Sequence, residues 1–393
     1  MDTNLTIQAI VIPTTHKRTI LPILQQHGIL IKDKKILEQD SHTIIPIIGE
    51  FNLDEIIEQT NLPKGVLEVK YYEASLFDKV KKIKNTQTNP RNQILEMLQK
   101  ENSAIDWNTY VPSKWVKYGD VIGLKNIEKI NQENRDIFLA IGEKFATILQ
   151  ARCVIGFTVG IKGELRTPDQ ECTFILYENK QIKTNLAPSE TIHQENGVKY
   201  CFDMTKVMFC PGNGTERSRA KTYCSEGEVV LDMFAGIGYF SLPIATSGKI
   251  DRLICLEKNP NSAFYLAKNM KLNLVDECLY EIHVGDNREV ASSWVDKIDR
   301  ISMGYLPETF PFIPRAIEFA KKNSKVIFHY HFLHEKDEGI QTVTKEFADA
   351  LSIVRSSNPE LTIEYSIDSL HIVKSYAPKV YHSVADLSVF VTK

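Results

Sequence analysis

Long hydrophobic runs are missing from this 393-residue chain. No apolar stretch approaches the roughly 20 residues that cross a bilayer, so no helical span and no membrane partner are expected. Cysteine is sparse and unpatterned. The seven cysteines, at 153, 172, 201, 210, 224, 255 and 278, are odd in number and never spaced as Cys-x-x-Cys, which fits reduced thiols and argues against a disulfide framework or a zinc site. No metal is expected. The first residues, Met1-Asp2-Thr3-Asn4, carry neither the basic region nor the apolar core of a secretory leader, and with the reduced thiols this gives a cytoplasmic location as the expectation. Charge of one sign is lacking too. The 47 Lys and Arg stand against 50 Asp and Glu, a net of −3, so composition gives no support to nucleic-acid binding and any RNA-binding surface has to be local. There is no internal repeat and no low-complexity tract, which removes repeat and disordered architectures. What remains has an ordinary globular composition, 43% hydrophobic and 25% charged, and enough length for two or three domains with their own cores.

The most informative stretch is Glu228-Val229-Val230-Leu231-Asp232-Met233-Phe234-Ala235-Gly236-Ile237-Gly238-Tyr239-Phe240-Ser241. Its opening apolar run reads as a buried strand that stops at Asp232. Gly236 and Gly238 follow, and Leu242, Ile244 and Ala245 predict a helix in which Pro243 is tolerated because it falls in the first turn. Strand, glycine turn and helix bring backbone N–H groups against a nucleotide-like ligand, although a glycine pair alone is also the mark of a tight structural turn. The third glycine of a dinucleotide fingerprint is absent. Three further strand ends strengthen the ligand reading. Residues 250–256 are a second apolar run ending in Glu257, 25 residues after Asp232, placed to hold a ribose diol with both carboxylate oxygens or else simply exposed at a strand end. Residues 280–284 lead into Gly285-Asp286-Asn287, an acid and an amide suited to the amino group and ring nitrogen of adenine. Residues 298–303 lead into Gly304-Tyr305-Leu306-Pro307. Four such strand ends predict a nucleoside cleft.

This order resembles the class I S-adenosylmethionine-dependent transferases. Together with Met208-Phe209-Cys210-Pro211-Gly212-Asn213, Glu216-Arg217-Ser218-Arg219 and Asp232-Met233-Phe234-Ala235-Gly236-Ile237-Gly238, it resembles the tRNA guanine-37 N1-methyltransferases and their wybutosine-synthesizing relatives, which move the 3-amino-3-carboxypropyl group instead of the methyl. The resemblance implies an α/β fold with a Rossmann-like, mostly parallel sheet preceded by smaller α+β domains. It also implies S-adenosylmethionine as group donor and tRNA, at position 37 of the anticodon loop, as partner. The cofactor residues it implies are Cys210, Arg217, Phe234, Gly236, Glu257, Asp286 and Asn287, with the forked donors of Arg217 offered to the cofactor carboxylate. Without the resemblance, Arg217 reads as a surface residue. The relatives carry a small polar residue where Cys210 stands, so a hydrogen bond through that side chain is weaker here.

The loop after the fourth strand separates two reactions. The guanine N1-methylases carry Asn-Leu-Pro there, whereas Gly304-Tyr305 replaces the asparagine in this chain, a departure that resembles the aminocarboxypropyl transferases. Tyr305 and Pro307 are the substrate-binding candidates, with Tyr305 either a stacking face for a flipped tricyclic base or a core aromatic. The function implied is aminocarboxypropyl transfer to 4-demethylwyosine at position 37 of tRNA(Phe), with N1-methylation of guanine at that position as the alternative. No catalytic side chain is assigned. His329 and His331, in His-Tyr-His, are candidate proton acceptors or satisfied strand histidines.

Along the chain, residues 1–75 read as a small α+β N-terminal domain, with strands over 5–13, 34–37 and 43–48 and a helix over 16–27. By resemblance it contacts the tRNA body; by its residues alone it is a packing module. Residues 76–106 read as a linker region, clearest over 78–89, where Lys79, Lys81, Lys82 and Lys84 suit phosphate as well as a solvated face. Residues 107–200 read as an α+β middle domain packed on the cofactor domain. A long amphipathic helix there is marked by Ile130, Ile137, Phe138, Ile141, Phe145 and Ile148, strands fall over 154–159, 172–177, 181–186 and 198–202, and Arg166 sits in a loop where it can meet RNA phosphate. Residues 201–393 carry the cofactor sheet, with helices over 261–274, 313–323 and 342–351 and a fifth strand over 326–332. The strands over 362–366 and 388–392 are expected to supply an antiparallel edge.

Overall fold

The computed structural model describes residues 6–31, 34, 36–39, 41–48, 53–60, 62–63, 65–73, 89–125, 127–128, 130–158, 161–182 and 184–392. The expected linker over 78–89, with its four lysines, lies outside them except for Asn89. Two compact units divide the chain, residues 1–89 and 90–393.

In the first unit, β1 (Thr6–Pro13), α1 (Lys17–Gln26), β2 (Leu37–Gln39), β3 (His42–Ile47), α2 (Leu53–Thr60) and β4 (Glu68–Glu73) build an antiparallel sheet in the order β2-β3-β1-β4. Alternation along β1 sends Ile10 and Ile12 to the face covered by Ile20 and Leu24 of α1 and Ile56 of α2, and Ala9 and Val11 to the other.

The second unit opens with α3 (Pro90–Glu101), inside the stretch read as linker. Its Ile94 and Leu98, one turn apart, are buried in one cluster with Phe138 and Ile141, which gives this segment the tertiary partner a linker lacks. There follow α4 (Trp107–Tyr110), β5 (Trp115–Tyr118), β6 (Val121–Lys125), α5 (Arg135–Leu149), β7 (Cys153–Phe157), the short pair β8 (Ile161–Lys162) and β9 (Thr167–Pro168), β10 (Thr173–Glu178), and the hairpin of β11 (Glu190–Glu195) and β12 (Val198–Asp203). A four-stranded sheet runs β10-β7-β6-β5. Tyr118, Val121, Cys153 and Ile155 share one core with Phe202, Val230 and Leu253, so residues 107–200 and the cofactor sheet belong to one compact unit. The strand expected over 181–186 is not found among the described residues of that span. The Asn179 side chain accepts from the Gln181 N–H at 3.0 Å and the Thr184 hydroxyl from the Leu186 N–H at 3.1 Å, local turn bonds that displace a strand ladder.

The remainder is α6 (Gly214–Ala220), β13 (Val229–Asp232), α7 (Ser241–Ala245), β14 (Arg252–Glu257), α8 (Pro260–Leu272), β15 (Tyr280–Val284), β16 (Arg300–Met303), α9 (Ile313–Phe319), β17 (Lys325–Glu335), α10 (Gly339–Ser357), β18 (Thr362–Ala377) and β19 (Val380–Thr392). The sheet runs β15-β14-β13-β16-β17-β19-β18, parallel through β17, with β19 antiparallel between β17 and the edge strand β18. Strand order reverses between β13 and β16, the switch point at which open α/β sheets bind ligands. β18 and β19 run much longer than the sequence suggested. The middle of β18 is half exposed and the pair carries three register shifts, so the period-2 pattern there is blurred. Among the described residues no helix is long and apolar enough to cross a membrane, and no group of three or more His, Cys, Asp or Glu is placed to hold a metal.

Candidate active site

The cleft forms where β13, β14, β15 and β16 end. Asp232 braces its floor: one carboxylate oxygen accepts from the Ser241 hydroxyl at 2.6 Å and the other from the Phe234 N–H at 3.2 Å. Burial pushes its pKa up to about 6. The chain then turns through Gly236, φ +57°, where a Cβ would stand 2.3 Å from the Tyr239 ring. Only glycine leaves Tyr239 that space, and its hydroxyl donates to the Met208 carbonyl, tying the segment that leads to Cys210 over the turn.

Glu257 ends β14 with both oxygens engaged by backbone. Oε2 accepts from the Gly236 N–H and Oε1 from the Asn259 N–H, each at 2.7 Å. Burial raises its pKa and these two bonds oppose the rise. Each oxygen retains lone-pair capacity for a donor in the cleft. Asp286 is clamped: Arg288 donates to it from its backbone at 3.0 Å and from its side chain at 2.8 and 2.5 Å, and Lys258 from 3.1 Å. The Arg288 bonds hold its carboxyl well below the usual range. Asn287 donates to the Met233 carbonyl at 3.0 Å, while its Oδ1 is buried without a partner. An orphaned acceptor in a cleft wall fits an exocyclic amino group such as that of adenine, and a free-sided carboxylate beside a glycine turn fits a ribose diol. The residues present therefore suit an adenosyl ligand. Lys258 also pairs with Glu164 at 2.7 Å, and Asn259 donates to the Leu165 carbonyl at 3.2 Å, which holds the β8–β9 turn and Arg166 over this end of the cleft.

Tyr305 stacks on Phe234, with centroids 4.9 Å apart and planes at 21°, and Phe312 stands edge-on to both. A Cβ on Gly304 would lie 2.7 Å from the Phe240 ring. The remaining wall comes from β17, β18 and β19: His331, Lys374, Tyr376 and His382. His331 Nδ1 and His382 Nε2 are 3.0 Å apart, their outer nitrogens have no partner, and burial drives both pKa values down to about 3. Near pH 7 the pair is neutral.

Cys210, Phe234, Gly236, Glu257, Asp286, Asn287 and Tyr305 line this one cleft. Arg217 does not. It is 2% exposed, donates to Glu195 at 2.6 Å and to the Cys210 carbonyl at 2.9 Å, and lies 4.7 Å over the Phe209 ring. An internal carboxylate has taken the fork that was expected to meet the cofactor. Pro307 is exposed and outside the lining, which takes its neighbour Leu306 instead. His329 is also out of reach as a proton acceptor. Its Nδ1 is 2.6 Å from Asp386, its Nε2 is 2.9 Å from Arg300, and its ring stacks on Tyr223 at 3.7 Å. Sequence reasoning missed Lys374, Tyr376 and His382. No spacing pattern marks them, because only the long β18–β19 hairpin carries them to the cleft.

A switch-point cleft with a glycine turn, a strand-end glutamate and an antiparallel β19 in a mostly parallel sheet defines a class I S-adenosylmethionine-dependent transferase fold. Residues 191–354 match the TRM5/TYW2 methyltransferase domain. Over 307 residues the chain is 34% identical to a Pyrococcus horikoshii protein named tRNA(Phe) (4-demethylwyosine(37)-C(7)) aminocarboxypropyltransferase, an alignment covering 76% of this chain and 96% of the relative. The chain belongs to this TRM5/TYW2 family. The crystal structure of P. horikoshii TYW2 in complex with MeSAdo superposes with a TM-score of 0.59 at 31% identity, covering 76% of this chain and 99% of that one. The Methanocaldococcus jannaschii tRNA (guanine(37)-N(1))-methyltransferase Trm5b is 28% identical over 367 residues, 93% of this chain and 94% of its own length. That alignment extends into residues 1–89, which make up more than a fifth of the chain.

Proposed function

We propose that this protein moves the 3-amino-3-carboxypropyl group of S-adenosylmethionine onto 4-demethylwyosine at position 37 of tRNA(Phe). The observation that carries the reading is Tyr305, which stands where the methylating relatives present asparagine and is held face-on to Phe234 in the cleft. An aromatic platform suits a large tricyclic base, with stacking worth about 1–3 kcal/mol, whereas an amide suits the edge of guanine. Gly304 permits this arrangement because any side chain there would strike Phe240. In this reading Glu257 takes the ribose diol and the orphaned Asn287 Oδ1 takes the adenine amino group. Asp286 shapes that wall through Arg288 and Lys258, while Gly236, Phe234 and Cys210 close the cleft around the ligand. S-adenosylmethionine supplies a carbon already joined to a good leaving group, so the protein's contribution is to hold the acceptor base against it and exclude water.

The second reading, N1-methylation of guanine 37, draws on the alignment with Trm5b into residues 1–89. Product analysis separates the two. Offered tRNA with 4-demethylwyosine and tRNA with guanine at position 37, the protein should release methylthioadenosine and add the four-carbon arm to the first. S-adenosylhomocysteine as sole product, with guanine preferred, would promote the second reading.

The N-terminal unit supports tRNA binding in this proposal, since every cofactor-site candidate lies in the other unit. Removal of residues 1–89 is expected to leave S-adenosylmethionine affinity within about twofold while weakening tRNA binding at least tenfold, a change of about 1.4 kcal/mol. A folded truncation that holds tRNA as tightly as the full chain would count against it.

A further inference from the structure

The geometry points to Lys374 as the residue that binds the carboxylate at the far end of the donor's amino-acid arm, in a seat that Gly212 leaves open. This rests on the reading of the cleft as an S-adenosylmethionine site and fills the role that Arg217, committed to Glu195, does not take.

A carboxylate drawn into a partly dry cleft needs a cation or several donors. Among the described residues, lysine and arginine line the cleft at three positions: Arg166, Lys258 and Lys374. Lys258 is already paired with Glu164 and Asp286. Arg166 belongs to the β8–β9 turn, whose Leu165 carbonyl is held by Asn259, next to the ribose-side glutamate. Lys374 approaches from the other wall, beside Cys210 and His382. Its ammonium donates to the Cys210 sulfur at 2.9 Å, and among the described residues no carboxylate lies within ion-pair distance of it. Sulfur is a weak acceptor and an ammonium has three donors, so the group retains both charge and donors for a ligand. The flanking His331–His382 pair is neutral, and the Arg217 guanidinium, which reaches the Cys210 carbonyl, is committed to Glu195, so among the described residues Lys374 is the cation of that corner without a carboxylate partner.

Two features of the chain make the seat. The β18–β19 register shifts between Ile372 and Lys374, a bulge of the kind that re-aims a strand side chain. Opposite it, a Cβ on Gly212 would lie 3.0 Å from Lys374 Cδ and 3.3 Å from Nζ, so the glycine lets the lysine stem pack directly against the backbone at 212, and a side chain there would press on it. Pro211 and Gly212 follow directly on Cys210, the sulfur on which the lysine rests. The two segments, more than 150 residues apart, form one anchoring corner.

S-adenosylmethionine and methylthioadenosine share the nucleoside and differ by the arm, so they isolate the contribution of Lys374. The experiment measures both affinities by calorimetry for the full-length protein and for Lys374→Met, which keeps the apolar stem, with thermal unfolding to confirm the fold. The expected result is at least a tenfold loss for S-adenosylmethionine, about the worth of one charge-assisted hydrogen bond, with methylthioadenosine unchanged within twofold. Unchanged affinity for S-adenosylmethionine, or an equal loss for both ligands, overturns the assignment. A parent protein that binds neither nucleoside overturns the cofactor reading itself, and this assignment with it.

Discussion

Glu257→Ala should weaken S-adenosylmethionine binding by on the order of 2–4 kcal/mol, the worth of two hydrogen bonds to a charged acceptor, while leaving tRNA affinity within about twofold. The glutamate ends β14 at the switch point, and its two oxygens are oriented by the N–H groups of Gly236 and Asn259, each at 2.7 Å. Its carboxylate is therefore held in a fixed pose at the cleft and would lose little entropy on binding a diol. The substitution also leaves those two N–H groups without their acceptor, so part of the loss would come from a looser glycine turn. Glu257→Gln separates the contributions, because its single carbonyl oxygen can keep one backbone bond and its charge is gone. Calorimetry at matched stability decides the matter: an alanine variant with the parent's affinity would remove Glu257 from the ribose site. The same contact predicts a pH dependence. Burial raises the Glu257 pKa above the usual glutamate value, and in the proposed role it is the carboxylate form that accepts from the diol. Affinity should therefore be full above that raised pKa and fall as pH drops through it, starting at a higher pH than for an exposed glutamate.

Arg217→Ala should cost about 3 kcal/mol of folding stability, with any loss of cofactor affinity secondary. Its guanidinium is 2% exposed, Glu195 is 20% exposed, and the pair is 2.6 Å apart. Truncating one partner strands a carboxylate that is mostly out of water and also removes the bond to the Cys210 carbonyl and the contact with Phe209. The partial exposure of Glu195 places the expected cost at the low end of the range for broken buried pairs. Urea unfolding measures it directly. Adding Glu195→Gln to an Arg217→Met variant should restore part of the loss, since the stranded charge goes with it. If Arg217→Ala unfolds at the parent's midpoint and fails only to bind S-adenosylmethionine, the arginine is a ligand residue after all.

These two residues show how the sequence could and could not be read. Glu257 was legible because everything that defines it is local. An apolar run ends, an acid follows, and the previous strand has just closed with a glycine turn, so strand geometry places the carboxylate at the sheet edge whatever the rest of the chain does. Gly236 was legible for a similar reason, as a backbone turn that no Cβ can enter. Arg217 is assigned to the cofactor by resemblance alone and otherwise reads as a surface residue; instead α6 turns its buried side chain to Glu195 on β11, a partner with no fixed sequence spacing. His329 and His331 differ by two residues and face the same side of β17, yet one is locked between Arg300 and Asp386 and the other lines the cleft. Period-2 alternation cannot separate them.

Sequence by itself predicted a nucleoside cleft at four strand ends and a mostly parallel sheet with an antiparallel edge. Each follows from short-range physics: hydrophobic period, strand ends and glycine turns. Only the tertiary structure decided which charges are spent inside the protein and which remain for a ligand. Arg217 is consumed by Glu195 and Lys258 by Glu164 and Asp286, while Lys374 keeps its charge at the cleft. Those outcomes depend on the register of β18 against β19 and on the seating of α6 beside β11. Both are contacts between distant segments, and a linear pattern of residue types does not encode them.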